Sequence, residues 1–561
     1  MKPYKNWSDH HHQNKIAAGN CKRGLPLLLP AGILVALLMN LTGLLLFLFT
    51  IPKEPKLFYG FSAMAANNAG SDNKNGAPKL DRPLGGLLHS GFDEGSCLSR
   101  YESVEYLKEL KRQPSSSLIS RLRSYEALHR RCGPHTEAYN KTVQLFASGK
   151  HHRFADDVVG GEECKYVVWV PFSGLGNRIL TMTSAFLYAI LTGRVLLVDP
   201  LNHTPDLFCE PFPGTSWVLP EDNPLTKDYF YRYSHNSSFS YGGMVKNNLI
   251  NRLNVSERPP SYIHLSLTYV MDQYDELFFK DEDQIFLQKI PWLSITSDEY
   301  FLPSLFLMPI FQKDLDKMFP EKDAVFHLLG RYLFHPANPV WGLITRYHKA
   351  YLAGADEKIG IQVRVFEGGP FDHVLNQIVK CTTEEKILPP PLIKNQENPT
   401  PKPNKTTTKV VLITSLSSWY ADVIRDMYLL YPTLSGEVIR VLQPSHEEYQ
   451  KTWDEFHYIK SLAEMYLLGM SDRLVTSGWS TFGYVAQGLG GLRSWVLYKP
   501  ENFTVPDPPC QPVISMEPCF HLPPLDHTMT VVPYVRPCED RIRGLKLYPD
   551  NQTVLKNILN S

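Results

Sequence analysis

YVVWVPFSGLGNRILTMTSAFLYAILTGRVLLVD runs from Tyr166 to Asp199. Five apolar residues, Tyr166 to Val170, lead into a turn holding Gly174, Leu175, Gly176 and Asn177. An apolar helical stretch follows from about Arg178 to Thr192, and then Val195 to Val198. Near-continuous apolar strands of this kind belong in a parallel sheet covered on both faces. The order strand, glycine turn, helix, strand therefore predicts an α/β fold.

The turn raises the question of a dinucleotide loop. That motif needs a third glycine for close helix–strand packing, and Ile179 stands there instead. Nicotinamide or flavin chemistry is disfavoured accordingly. Arg178 has donor geometry suited to phosphate oxygens. The turn is thus expected to contact an anion or a sugar, the alternative being a purely structural connection.

A second α/β series begins near Lys358. KIGIQVRVF reads as a strand with Arg364 at its end, where a guanidinium can neutralise a diphosphate. KVVLITSLSSWYADVIRDMY reads as strand then helix, and GEVIRVLQPS as another strand. RLVTSGWSTFGYVAQGL reads as strand, turn and helix; its Ser480, Thr481 and Phe482 stand at the helix mouth. Free N–H groups there suit an anion, while Ser and Thr also suit ordinary capping. Trp479 and Phe482 are candidates for packing on a base or ribose. Two such series predict two facing Rossmann-like domains with the ligand between them.

The flanks place the chain in a membrane. Five basic residues and one acidic one precede Leu25–Ile51, a run of 27 uncharged residues. That length spans about 30 Å of hydrocarbon, and the basic side stays cytoplasmic. A signal anchor is expected, with a cleaved signal peptide as the alternative. Seven sequons follow, at Asn140, Asn202, Asn236, Asn254, Asn404, Asn502 and Asn551, and eight cysteines, enough for four disulfides of open pairing. The formal net charge of zero gives no reason to expect nucleic acid.

The expected organisation is a cytoplasmic tail (1–24), anchor (25–51), flexible stem (52–90), helical cysteine-containing region (91–160), first α/β domain (161–355), second α/β domain (356–505) and a disulfide-stapled C-terminal wrap (506–561). Asp272, Asp275, Asp298 and Glu299 are the carboxylates available for proton transfer. Trp292, Tyr300 and Phe301 nearby suit either sugar stacking or a core. No metal is expected: no D-x-D follows a clear strand, and Asp314-Leu315-Asp316 falls in a helical stretch.

WVPFSGLGNRILTMTSAFLYAILTGRVLLVD, KIGIQVRVF and LVTSGWSTFGYVAQGLGGLRSWVLY together resemble the plant xyloglucan fucosyltransferase family. QPSHEEYQ and TSDEYFLPSLFLMP add to the resemblance, which covers roughly residues 90–555. It implies a variant GT-B fold and a single-pass type II Golgi enzyme with a lumenal catalytic region. It also implies inverting, metal-independent transfer of L-fucose from GDP-fucose to the 2-hydroxyl of galactose in a cell-wall polysaccharide. GDP-fucose is the donor substrate, and no cofactor is implied. By the same resemblance Arg364 clamps the diphosphate with Ser480, Thr481 and Phe482, while Asn177 and Arg178 face the donor across the cleft. Asp298 is the acidic residue near the acceptor. Xyloglucan and arabinogalactan protein glycans are both open as acceptors, and a homodimer or Golgi enzyme complex is compatible. The rivals are a glycoside hydrolase and a non-catalytic glycan-binding or wall-assembly protein on the same fold.

Overall fold

The computed structural model describes residues 83–550 apart from 90, 108–109, 111, 148–163, 227–236, 253–258, 367, 393–406, 434, 452–453, 525–531 and the side chains of residues 83 and 202. The chain divides into residues 1–78 and 79–561, and everything described belongs to the second unit. The expected tail, anchor and nearly all of the stem lie outside the described residues, as do the sequons at Asn236, Asn254, Asn404 and Asn551. Among the described residues no helix is long and apolar enough to cross a membrane.

Three helices come first: α1 (Leu98–Tyr106), α2 (Ser116–Cys132) and α3 (Glu137–Ala147). Ser115 caps α2 by accepting from the Leu118 N–H, which satisfies one of the free donors of the first turn. Disulfides Cys97–Cys209 and Cys132–Cys164 tie this region to the first sheet lobe.

That lobe holds β1 (Tyr166–Val170), α4 (Leu175–Thr192), β2 (Val195–Val198), β3 (Tyr262–Leu267) and β4 (Trp292–Ser297). The four strands are parallel in the order β2-β1-β4-β3, and every residue in them is buried. The strands β3 and β4 were not foreseen in the mixed 200–355 stretch. Polar His264, Ser266, Ser294 and Thr296 alternate with their apolar residues, so these strands lack the near-continuous apolar run that marks β1 and β2. His264 Nδ1 and the Tyr262 hydroxyl both meet Ser294 Oγ at 2.8 Å, so these three side chains are paired across the two strands.

Helices α5 (Pro309–Met318), α6 (Val325–Leu333) and α7 (Asn338–Tyr347) lead to the second lobe. Asp314 and Asp316 lie on α5 and pair with Arg121 at 2.8 Å and Lys322 at 2.9 Å. The second lobe comprises β5 (Glu357–Gln362), α8 (Asp372–Glu384), β6 (Thr408–Thr414), α9 (Trp419–Leu430), β7 (Val438–Leu442), α10 (Glu455–Gly469), β8 (Arg473–Ser477), α11 (Thr481–Gly490), β9 (Trp495–Leu497) and β10 (Cys510–Pro512). Its order is β10-β9-β8-β5-β6-β7, parallel except for β10. Cys381–Cys510 ties α8 to β10. The C-terminal segment adds the antiparallel pair β11 (Val535–Pro537) and β12 (Leu545–Leu547), with Cys519–Cys538 beside it.

One apolar cluster runs through both lobes, beside a separate cluster in each. Side chains of α4, α6, α10 and α11 all belong to the same cluster. Contact is close enough that a Cβ on Gly488 of α11 would overlap the Phe326 ring of α6. His327 of α6 also bonds the Gly488 carbonyl at 2.7 Å. The two lobes are thus packed against each other along α11.

Candidate functional site: the mouth of α11

In an open parallel sheet, ligands bind beyond the carboxyl ends of the strands where the strand order reverses. The first sheet reverses between β1 and β4, and the second between β5 and β8. Residues just past these four strands therefore form the candidate site: the turn after Val170, Asp298 after β4, Arg364 after β5 and Trp479 after β8.

The opening turn differs from its expected form. Gly176, Asn177 and Arg178 are not loop residues but the first turn of α4, which begins at Leu175 with Gly174 as N-cap. Nor does this turn stand across a gap from the second lobe. A Cβ on Gly176 would lie 2.7 Å from Thr481 Oγ1, 2.8 Å from the Thr481 carbonyl carbon and 2.9 Å from Phe482 N. The glycine is required for contact between two helix ends, not for an unusual backbone angle. Only Ser173, at φ +62°, is left-handed in this turn.

Asn177 bridges the parts. Its Oδ1 accepts from the Thr481 hydroxyl at 2.8 Å, and its Nδ2 donates to the Asp298 carbonyl at 2.8 Å. Arg178 is only 4% exposed, and its guanidinium is engaged by protein. Nε donates to the Ser173 carbonyl, Nη1 to the Thr204 hydroxyl and Nη2 to the Tyr458 hydroxyl, at 2.9, 3.4 and 3.2 Å. The guanidinium also lies 4.8 Å from the Tyr458 ring centre. Arg178 thus ties the turn after β1, the 200 segment and α10 together.

Arg364 is the opposite case. Half-buried two residues beyond β5, it fixes its backbone by donating from N to Ser477 Oγ at 2.9 Å. Among the described residues no carboxylate pairs with its guanidinium, whose near neighbour is the Phe366 ring at 5.3 Å. Burial alone lowers its pKa, with no compensating charge. An uncompensated, partly desolvated guanidinium calls for an anion.

At the mouth of α11, the Ser480 side chain makes no capping bond, and the Thr481 hydroxyl proton is spent on Asn177. What remains for an anion is the set of first-turn N–H groups. Phe482 is half-buried against the shared core, whereas Trp479 is 43% exposed, with Phe366 at 5.3 Å between ring centres.

Of the four carboxylates, Asp272 and Asp275 close their own turn: Asp272 Oδ1 accepts from Tyr274 N, and Asp275 Oδ2 from Asp272 N. Asp298 and Glu299 stand at the site. Burial pushes Asp298 up to about 6, although its Oδ1 accepts the Tyr269 N–H at 3.0 Å. Burial and then the Asp298 charge push Glu299 up to about 8. The neighbouring aromatics are core. Trp292 stacks on Tyr166 at 4.1 Å, Phe301 is fully buried, and Tyr300 donates to Glu517.

Sequence reasoning missed the strand-end polar groups. Gln362 closes β5, Thr414 closes β6 and Gln443 follows β7. Each keeps one buried oxygen without a hydrogen-bond partner among the described residues. Such atoms are rare without a ligand or water. Gln443 also lines a cavity of ≈ 420 Å³ with Tyr347, Tyr351, Asp422, Arg425 and His446. Nearby Glu464 is pushed up to about 7 by burial and accepts from Ser445. Polar residues at the ends of alternating strands were the available signal.

Two parallel-stranded lobes with a bare arginine and a helix mouth at their junction define a GT-B-like glycosyltransferase. The chain belongs to the xyloglucan fucosyltransferase family, whose model matches residues 60–528. It is 54% identical over 489 residues to a galactoside 2-alpha-L-fucosyltransferase of Pisum sativum, covering 85% of this chain and 84% of that protein. With a galactoside 2-alpha-L-fucosyltransferase of Arabidopsis thaliana the identity is 52% over 508 residues, and the match covers 88% of each. A solved structure of a mutant of Arabidopsis thaliana FUT1 in complex with GDP is 53% identical, with a TM-score of 0.75. That match covers 83% of this chain and all of the solved one.

Proposed function

We propose that this chain transfers L-fucose from GDP-β-L-fucose to the 2-hydroxyl of galactose in xyloglucan side chains, with inversion, forming an α-1,2 linkage. The observation that carries the reading is Arg364, a desolvated guanidinium without a carboxylate partner among the described residues, at the β5–β8 reversal. The relatives' printed names supply the donor sugar and the linked position.

As the anomeric C–O bond breaks, negative charge grows on the departing diphosphate. Arg364 and the first-turn N–H groups of α11 stabilise that charge more than the ground state, which lowers the barrier. The Gln362, Thr414 and Gln443 strand ends lead to the cavity beside Glu464, which has the size and polarity for the guanosine end. Asp298 receives the acceptor proton directly or through water. Its pKa near 6 leaves it mostly ionised at neutral pH.

The chain is a single-pass type II Golgi protein in this reading, anchored by residues 25–51. Asn140 and Asn502, both exposed, are sequons open to glycan.

The test is a panel in which the full-length chain meets GDP-fucose with galactosylated xyloglucan, an arabinogalactan and free galactosides. Transfer to xyloglucan alone is expected. Arabinogalactan as the preferred acceptor would replace the substrate, and no turnover on any acceptor would leave a glycan-binding protein. Arg364→Ala should abolish transfer and weaken GDP binding with the fold intact; near-normal turnover would remove the clamp.

A further inference from the structure

Trp479 adopts φ +58°, a left-handed conformation that large side chains rarely take. It immediately precedes the α11 mouth, so its backbone angle sets where the first-turn N–H groups point. Conformations of this kind persist only when surrounding structure holds them. We propose that Asp540, from the C-terminal segment, is a positioning residue that locks this turn and so fixes the donor-binding mouth of α11.

The geometry is specific. Asp540 is 4% exposed and lies between β11 and β12, two residues after Cys538. Its Oδ1 accepts from Ile542 N at 3.0 Å, which orients the carboxylate. Its Oδ2 accepts from Trp479 N at 3.3 Å and from the Tyr484 hydroxyl at 3.0 Å. One oxygen therefore joins the strained turn to the first turn of α11 itself. Gly478 leaves room for it: a Cβ there would lie 3.3 Å from Asp540 Cβ and 3.0 Å from the Leu497 carbonyl.

His521 completes the arrangement. Its Nε2 lies 2.9 Å from the Tyr484 hydroxyl and 3.4 Å from Asp540 Oδ2, while Nδ1 faces the Arg543 carbonyl at 3.2 Å. The Cys519–Cys538 disulfide joins the segments that carry His521 and Asp540. The His521 backbone N–H also meets the Glu299 carboxylate, so the segment that steadies the donor mouth reaches the acceptor carboxylates too. The stapled segment is therefore a support for the site, placed behind it.

The inference rests on the mouth of α11 holding the diphosphate, and the test separates the two. GDP is titrated calorimetrically into the full-length chain, and KM is measured for each substrate. A wild-type chain that does not bind GDP would overturn the donor reading itself. With wild-type binding established, Asp540→Asn should weaken GDP about tenfold and raise KM for GDP-fucose in parallel. The acceptor KM should stay near wild type, and the loss of GDP affinity should exceed what any fall in melting temperature explains, which a merely structural role would not produce. Trp479→Gly lets the turn adopt φ > 0 without strain. In that background the Asp540→Asn effect should shrink below about twofold. Unchanged GDP affinity in Asp540→Asn, or a fully additive double variant, overturns the proposal. Should Asp540→Asn not fold, Asp540→Glu keeps the charge but displaces the carboxylate from Trp479 N, and the same GDP and additivity outcomes decide.

Discussion

Thr481 donates its hydroxyl proton to Asn177 Oδ1 at 2.8 Å, across the join between the two lobes. Asn177 passes the connection on, donating to the Asp298 carbonyl at 2.8 Å. One amide thus links the helix mouth of the second lobe to the carboxylate-bearing strand end of the first. In the proposed reaction that link would hold the donor and acceptor sides in register. Misplacement by about 1 Å can cost two orders of magnitude in rate.

Asn177→Asp keeps the shape and an acceptor for Thr481 but loses the N–H that reaches Asp298. It also leaves a carbonyl and a carboxylate face to face. A stability loss of about 1–3 kcal/mol is expected, with kcat falling further than KM for GDP-fucose rises. Steady-state kinetics and thermal melting check this. Wild-type kcat would remove Asn177 from the alignment.

Much of this was legible from residues. The strand–helix periods of Tyr166–Val198 and of Lys358–Tyr498 mark both lobes, and Arg364 was singled out by its place at a strand end. The central strand β4 was not read, because Ser294 and Thr296 break its apolar run and the partner of Ser294, Tyr262, comes from another strand. The protein partners of Arg178 were hidden for a related reason. A basic residue after a glycine turn suits an anion, and only the folded chain reveals Tyr458, distant in sequence, taking its guanidinium. Disulfide pairing and the Asp540–Trp479 bond likewise depend on segments brought together from far apart.

Asp298 should leave its mark on the pH profile. Its carboxyl is held up to about 6, so the ionised fraction rises through that range. If it takes the acceptor proton, kcat should fall on the acid side with a midpoint near 6. Asp298→Asn should lower kcat by about 10²–10⁴-fold and flatten that limb, while GDP affinity changes little. An acid limb that persists unchanged in the variant would assign it to another group.

Glu517 governs a different pH response. It is fully buried, accepts from the Tyr300 hydroxyl and Phe326 N, and is pushed up to about 8 by burial. A carboxyl whose folded pKa lies above its unfolded value binds protons more tightly in the native state. Its stabilising contribution is complete below about 4.5 and is lost as pH rises towards about 8. The melting temperature of the wild type should fall across that window. Glu517→Gln retains acceptance from Phe326 and cannot ionise, so its melting temperature should be flatter. Parallel curves for the two proteins would exclude Glu517 as the source.

Gly176 and Gly193 stand at the two ends of α4 and should fail differently. Gly193 ends the helix in the left-handed region at φ +64°, and a Cβ there would meet nothing within 4 Å. Gly193→Ala should therefore cost about 1 kcal/mol through its backbone alone, with normal activity per folded molecule. Gly176 has an ordinary helical backbone, which by propensity favours alanine by about 1 kcal/mol. Its Cβ would nevertheless press on the Thr481 carbonyl carbon at 2.8 Å and Phe482 N at 2.9 Å, main-chain atoms that cannot rotate away. Overpacking of this kind costs about 1–3 kcal/mol and pushes the α11 mouth away from α4. Gly176→Ala should thus lose GDP affinity and kcat beyond what its melting temperature explains. If both variants instead keep wild-type activity per folded molecule, the contact between the two helix ends has no bearing on donor binding.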